Sequence, residues 1–114
     1  MQPKLMGPYD LTFSSVESVL PRSGGGVFAV GYVDSSSRFR VQRVGRDARD
    51  LRTFLKSLIG SSNQFKYKLT TTEREAFEIE CQLFHELRPP SNFSHPDRPH
   101  GSGWRCPHCL QFRG

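Results

Sequence analysis

Long apolar runs are what this chain most plainly lacks. The longest, "VFAVGYV" at 27–33, is seven residues, far short of the roughly 20 needed to cross a membrane. The N-terminus, "MQPKLMGPYDLTF", has none of the apolar core of a secretory signal. Cysteine is scarce as well: there are three, an odd number that argues against a closed disulfide framework and for a reducing compartment. These absences give the expectation of an intracellular, cytoplasmic protein with no membrane segment. Hydrophobic residues are only 35% of a 114-residue chain, little for a single domain of this size. Nine Phe, three Tyr and one Trp bring large area per residue in compensation. A staple of some kind would still help.

Acid is nearly missing from one segment. Between Arg38 and Lys68 the basic residues are Arg38, Arg40, Arg43, Arg46, Arg49, Arg52, Lys56, Lys66 and Lys68, opposed only by Asp47 and Asp50. The local excess of seven exceeds the net +5 of the whole chain, so the remainder is mildly acidic. Such asymmetry fits a phosphate-facing surface, and it also fits an ordinary arginine-rich soluble face. The residues nominated for nucleic-acid contact are Arg40, Arg43, Arg46, Arg49, Arg52 and Lys56.

The patterning predicts a small α+β domain with a three-stranded sheet and flanking helices in the order β-β-α-β-α. Residues 1–25 hold Pro3, Gly7, Pro8 and Pro21 and run into the "SGGG" at 23–26. They read as an irregular lead-in with at most a short helix near "FSSVESVL". The apolar run at 27–33 is a buried strand, "DSSS" at 34–37 is a turn, and "RFRVQRV" at 38–44 alternates, so the two strands form a hairpin. After Gly45 the period changes. Leu51, Phe54, Leu55, Leu58 and Ile59 make a helical stripe, with Asp47 as expected N-cap and Gly60 as stop. "FKYKL" at 65–69 is the third strand, with Phe65, Tyr67 and Leu69 inward. Thr72 and Glu75 form a capping box for a helix to about Leu87, which Pro89-Pro90 ends. The domain therefore spans 26–92, and 93–114 is a tail with no periodicity.

The last helix carries the chemistry. At 100° per residue Ala76, Leu83, Phe84 and Leu87 share a face, and Glu80 falls near its middle. A carboxylate there is costly unless paired, hydrogen-bonded or bound to a metal. Two readings stay open: a structural partner for one of the arginines, or a site carboxylate beneath a shallow cleft. Cys81 and His85, one turn apart on the flank of the same helix, project together. With Cys106 and Cys109 of "RCPHC" they would complete a Cys3His tetrahedron for structural zinc that pins the tail to the helix. His95, His100 and His108 compete for the histidine position. The alternative is a small buried Cys81 with Cys106 and Cys109 as free thiols.

The motifs "GVF" (26–28) and "RVG" (43–45), the element order and Glu80 together resemble the GIY-YIG nuclease superfamily over roughly residues 26–92. The segment "HPDRPHGSGWRCPHC" resembles the tails of a small bacterial subgroup with a zinc-binding extension. The resemblance implies metal-assisted phosphodiester hydrolysis, an endonuclease activity acting on nucleic acid, DNA ahead of RNA. It implies magnesium or manganese at Glu80, phosphate clamping by Arg46 or Arg43, and Asn92 near the metal. The chain departs from the pattern at three positions. Phe28 stands where the first motif has its tyrosine, Arg43 where the second has its own, and Phe54 where the helical arginine belongs. Tyr32, four residues from Phe28 and about 13 Å along the strand, is too far to stand in. A binding module that retains the fold without catalysis, or a protein-interaction domain with a basic face, is therefore the alternative expectation.

Overall fold

The computed structural model describes residues 4–92, 95–99 and 101–108. Its elements are β1 (Met6–Asp10), α1 (Phe13–Val19), β2 (Gly26–Val33), β3 (Phe39–Asp47), α2 (Leu51–Ser57), β4 (Gln64–Leu69) and α3 (Glu73–Leu87). The expected β-β-α-β-α order is found as β2-β3-α2-β4-α3. The strand count is not: the sheet has four strands, in the order β1-β4-β2-β3, all antiparallel. The extra strand comes from the supposed lead-in. Met6 pairs with Tyr67, and Tyr9 with Phe65. Pro8 signalled irregularity, yet β1 is an edge strand, where a residue without an N–H is tolerated. The "FSSVESVL" helix is also present, capped by the Thr12 hydroxyl, which accepts from the Ser15 N–H at 3.3 Å.

Strand β2 is covered on both sides, which is why it reads as continuous apolar sequence rather than alternating. Phe28 and Val30 join Phe65 and Tyr67 of β4 against Val16 of α1 and Leu51 and Leu55 of α2. Val27 and Ala29 point the other way, with Val44, onto Ala76 and Leu83 of α3. Fully burying a side chain of this size contributes about 1.5–3 kcal/mol, and Phe28, Phe65, Phe77, Leu51, Leu55 and Leu83 are all fully enclosed.

A bulge in β3 sets which residues reach α3. Val30 pairs with Arg43 and Gly31 with Val41, so Gln42 is passed over. Phe39, Val41 and Val44 consequently share the α3 side, although odd and even positions would normally part. Arg46, opposite Val27, lands on that side too. Gly31 sits at the bulge because a Cβ there would run into the Arg40 carbonyl.

Two sequence expectations about α2 are corrected. Its N-cap is Asp50, whose carboxylate accepts from the Thr53 N–H at 3.1 Å and its hydroxyl at 2.6 Å. Asp47 closes the preceding turn instead, accepting from the Arg49 and Asp50 N–H groups at 2.9 and 2.7 Å. The helix ends at Ser57 with Leu58 as its C-cap, so Ile59 lies beyond it and is exposed, as is Leu69 at the end of β4. The hairpin turn is as expected, and Thr72 caps α3 as expected. The Glu75 carboxylate, however, closes the box one residue early, accepting from the Thr71 N–H at 2.9 Å rather than from that of Thr72. Asp34 accepts from the Ser36 and Arg38 N–H groups, and Thr72 from the Glu75 N–H at 3.0 Å. Arg88, with φ at 46°, ends α3 in the left-handed region.

Candidate metal centre and cleft

Helix α3 buries two faces. One lies on the sheet through Ala76 and Leu83, and the other, Phe77 and Cys81, carries the tail. Four-residue spacing stacks Phe77 beneath Cys81. Trp104 packs on Phe77 with ring centroids 6.1 Å apart, which brings Cys106 into the same buried cluster as Cys81. Arg98 ties the loop internally, donating to the Trp104 carbonyl at 3.0 Å.

Donor atoms of Cys81, His95 and Cys106 all lie within 4.8 Å of one another. Two sulfurs and an imidazole at that separation can hold a metal ion. Cys81 and Cys106 are both buried, and the His108 N–H donates to the Cys106 sulfur at 3.4 Å. A backbone donor aimed at sulfur favours the thiolate that a metal requires. Burial, reinforced by Cys106 close by, pushes the Cys81 thiol far above its ordinary range. Without a cation this site therefore keeps Cys81 protonated. The imidazole in this group is that of His95, one of the competitors, and His85 is not a member of it. The His85 ring lies 5.1 Å from that of His95 and 6.2 Å from that of His108, centroid to centroid. Its Nε2 is buried without a hydrogen-bond partner among the described residues. Burial first, then His95, His108 and Arg88, push its pKa down. The expected ligand Cys109 and the competitor His100 lie outside the described residues.

Glu80 is the single charged residue among the buried ones described, at 7% exposure, and Arg46 is its partner. One guanidinium nitrogen donates to the Glu80 carboxylate. A second donates to the Asp97 carbonyl at 2.5 Å, and the guanidinium carbon stands 5.2 Å above the Phe77 ring. Burial raises the Glu80 pKa, and the Arg46 hydrogen bond and charge, with Arg43 behind, partly offset the rise. The pair lies in an open cleft of about 460 Å³ along the outer edge of β3, lined also by Arg43, Asp47, Phe54, Glu73, Asn92 and 95–97. Asn92 is committed to structure: its amide accepts from the Val44 N–H at 2.8 Å and donates to the Val44 carbonyl at 3.0 Å. With Ser91 donating to the Gln42 carbonyl at 2.8 Å, it closes what would be a bare sheet edge.

Of the other nominated cations, Arg52, Lys56 and Arg40 have acidic partners, while Arg43 and Arg49, like the neighbouring Arg38, have none among the described residues. Arg52 and Lys56 both pair with Glu17 of α1, and Lys56 also covers Phe13 at 4.3 Å; they join α2 to α1. Arg40 pairs with Asp34 at 2.6 Å. Phe28 is fully enclosed, and its ring lies 5.4 Å from that of Phe54, which is partly buried against the same core and also lines the cleft. Sequence reasoning missed Arg46–Asp97 and Phe77–Trp104, contacts between segments far apart that carry no local pattern. Comparison with protein-family models, with curated proteins and with solved structures returned no match.

Proposed function

We propose that this chain is a zinc-clipped nucleic-acid-binding domain of the GIY-YIG type that does not hydrolyse phosphodiesters. The observation that carries the reading is the closure of Glu80 on Arg46. A metal ion held against a phosphate needs a carboxylate that is free to coordinate it. Here one carboxylate oxygen already accepts from a guanidinium whose positive charge opposes a cation beside it. Phe28 and Phe54, in place of the tyrosine and arginine that the resemblance implies, supply neither a hydroxyl nor a charge, and both serve packing. Zinc is the ion that suits two thiolates and an imidazole, and magnesium or manganese is not needed at Glu80.

Support for a nucleic-acid partner is the uneven charge of the sequence, with Arg38, Arg43 and Arg49 left to neutralise phosphates. Three contacts give a slope of about −3 for log affinity against log salt on duplex DNA, a loss of roughly 40-fold between 50 and 200 mM. Anisotropy titrations with a short duplex and a single strand, repeated across salt, test this. Arg43→Gln with Arg49→Gln should weaken binding to both and flatten the slope. No binding at low salt would end the reading. Plasmid incubated with magnesium or manganese should stay intact; cleavage abolished by Glu80→Gln would establish the hydrolase instead.

A further inference from the structure

Arg46 is held by three groups, and each sits beside a candidate metal ligand. Glu80 precedes Cys81. Asp97, whose carbonyl takes the second guanidinium nitrogen, is two residues from His95. Phe77, under the guanidinium, is clasped by Trp104, two residues before Cys106. The cluster that joins helix to tail thus also sets the enclosure around Arg46. Its side chain is 17% exposed and that of Glu80 is 9%; Pro96, beside them in the cleft wall, is buried.

We propose that the metal centre regulates the cleft: metal-bound, it keeps Arg46 closed on Glu80 and the Asp97 carbonyl, and metal loss frees that guanidinium to take a phosphate. The inference rests on the zinc and nucleic-acid readings above. When the tail leaves, Arg46 loses the Asp97 carbonyl and the cover over the ion pair. An ion pair in water is weak, Arg46 meets Glu80 through one nitrogen only, and a phosphate offers the freed guanidinium a two-pronged contact. Arg43, on the same strand and lining the same cleft, supplies the neighbouring charge. The tail acts as an autoinhibitory cover whose latch is the metal.

The test uses the full chain, before and after removal of metal by a chelator. Trp104 is the only tryptophan, so its emission reports whether the tail has left Phe77. Arginine footprinting with phenylglyoxal reports Arg46 directly, with Arg52, locked on Glu17 between α1 and α2, as the control for general unfolding. The expected result is a red shift of Trp104 and labelling of Arg46 but not Arg52 after chelation. A single-stranded oligonucleotide should then bind at least about fivefold more tightly, protect Arg46 from labelling, and show a salt slope steeper by about 0.7. Arg46→Gln should keep the red shift and lose the gain in affinity. The proposal is overturned if Arg46 stays protected after the red shift, if Arg52 is labelled with it, or if affinity does not rise. Absence of metal in the purified protein, or of any oligonucleotide binding in either state, would instead remove the underlying reading.

Discussion

Arg46 of β3 and Glu80 of α3 neutralise each other inside the interface that holds the last helix to the sheet. Arg46 reaches that side because a bulge at Gln42 resets the alternation of β3, and Glu80 because it shares a helical face with Ala76 and Leu83. Breaking a buried pair leaves one charge uncompensated, at a cost of about 3 kcal/mol or more. Glu80→Gln should therefore lower the melting temperature by roughly 10 °C or more, with magnesium making no difference to the parent. Replacing both partners together, Arg46→Met with Glu80→Leu, should recover most of the loss. Calorimetric melts of the three proteins check this, and an unperturbed Glu80→Gln would show that the pair contributes nothing.

Gly45 faces Phe28 across the β2–β3 ladder, and a Cβ there would stand 2.6 Å from the ring's outer carbon. The ring is fully buried and backed by Phe54, so it has nowhere to move. Gly45→Ala should cost about 1–3 kcal/mol through overpacking. Phe28→Leu should make the two changes less than additive, which a double-mutant cycle in denaturant measures. A Gly45→Ala protein as stable as its parent would mean that the core relaxes freely here.

Metal uptake should be strongly pH-dependent. Burial raises the Cys81 thiol, so the metal must displace its proton, and raising the pH makes that easier. Affinity should fall about tenfold or more for each pH unit of acidification through the neutral range, and Cys81→Ser should abolish tight binding. Zinc titrations against a competing chelator at several pH values give the slope. A flat profile would place the metal elsewhere.

Asp50 caps α2, and the Thr53 hydroxyl, followed by the Thr53 N–H, holds its carboxyl below the ordinary 3.8. A depressed folded-state value means the stabilisation is present above 3.8 and is lost as pH falls through the folded value. Asparagine caps a helix comparably but does not titrate. The parent's advantage over Asp50→Asn in melting temperature should shrink as pH drops from 5 to 2. A constant difference would exclude an ionic contribution from the cap.

The sequence by itself determined the elements whose signals are local. These are the two-sided strand at 27–33, the turn at Asp34, the stripe of α2, the cap at Thr72 and the Pro89-Pro90 stop. Each depends on neighbours within a few residues, where period and capping chemistry act. It also marked Glu80, Cys81 and Cys106 as side chains in need of partners, since a buried charge and an odd set of thiols are costly or idle alone. Which partners they found was a tertiary decision. His95 rather than His85 meets the cysteines because the tail folds back under Trp104. Arg46 rather than any other arginine meets Glu80 because one bulge turns it toward α3. β1 became a strand because the edge of β4 was open to pair with, and Arg52 and Lys56 were drawn into the fold by Glu17. The Arg46–Glu80, Glu17–Arg52 and β1–β4 pairings join residues more than 30 positions apart. The cysteine–histidine cluster joins a helix to a loop without local pattern. The energies of all these contacts exist only once the fold has brought the segments together.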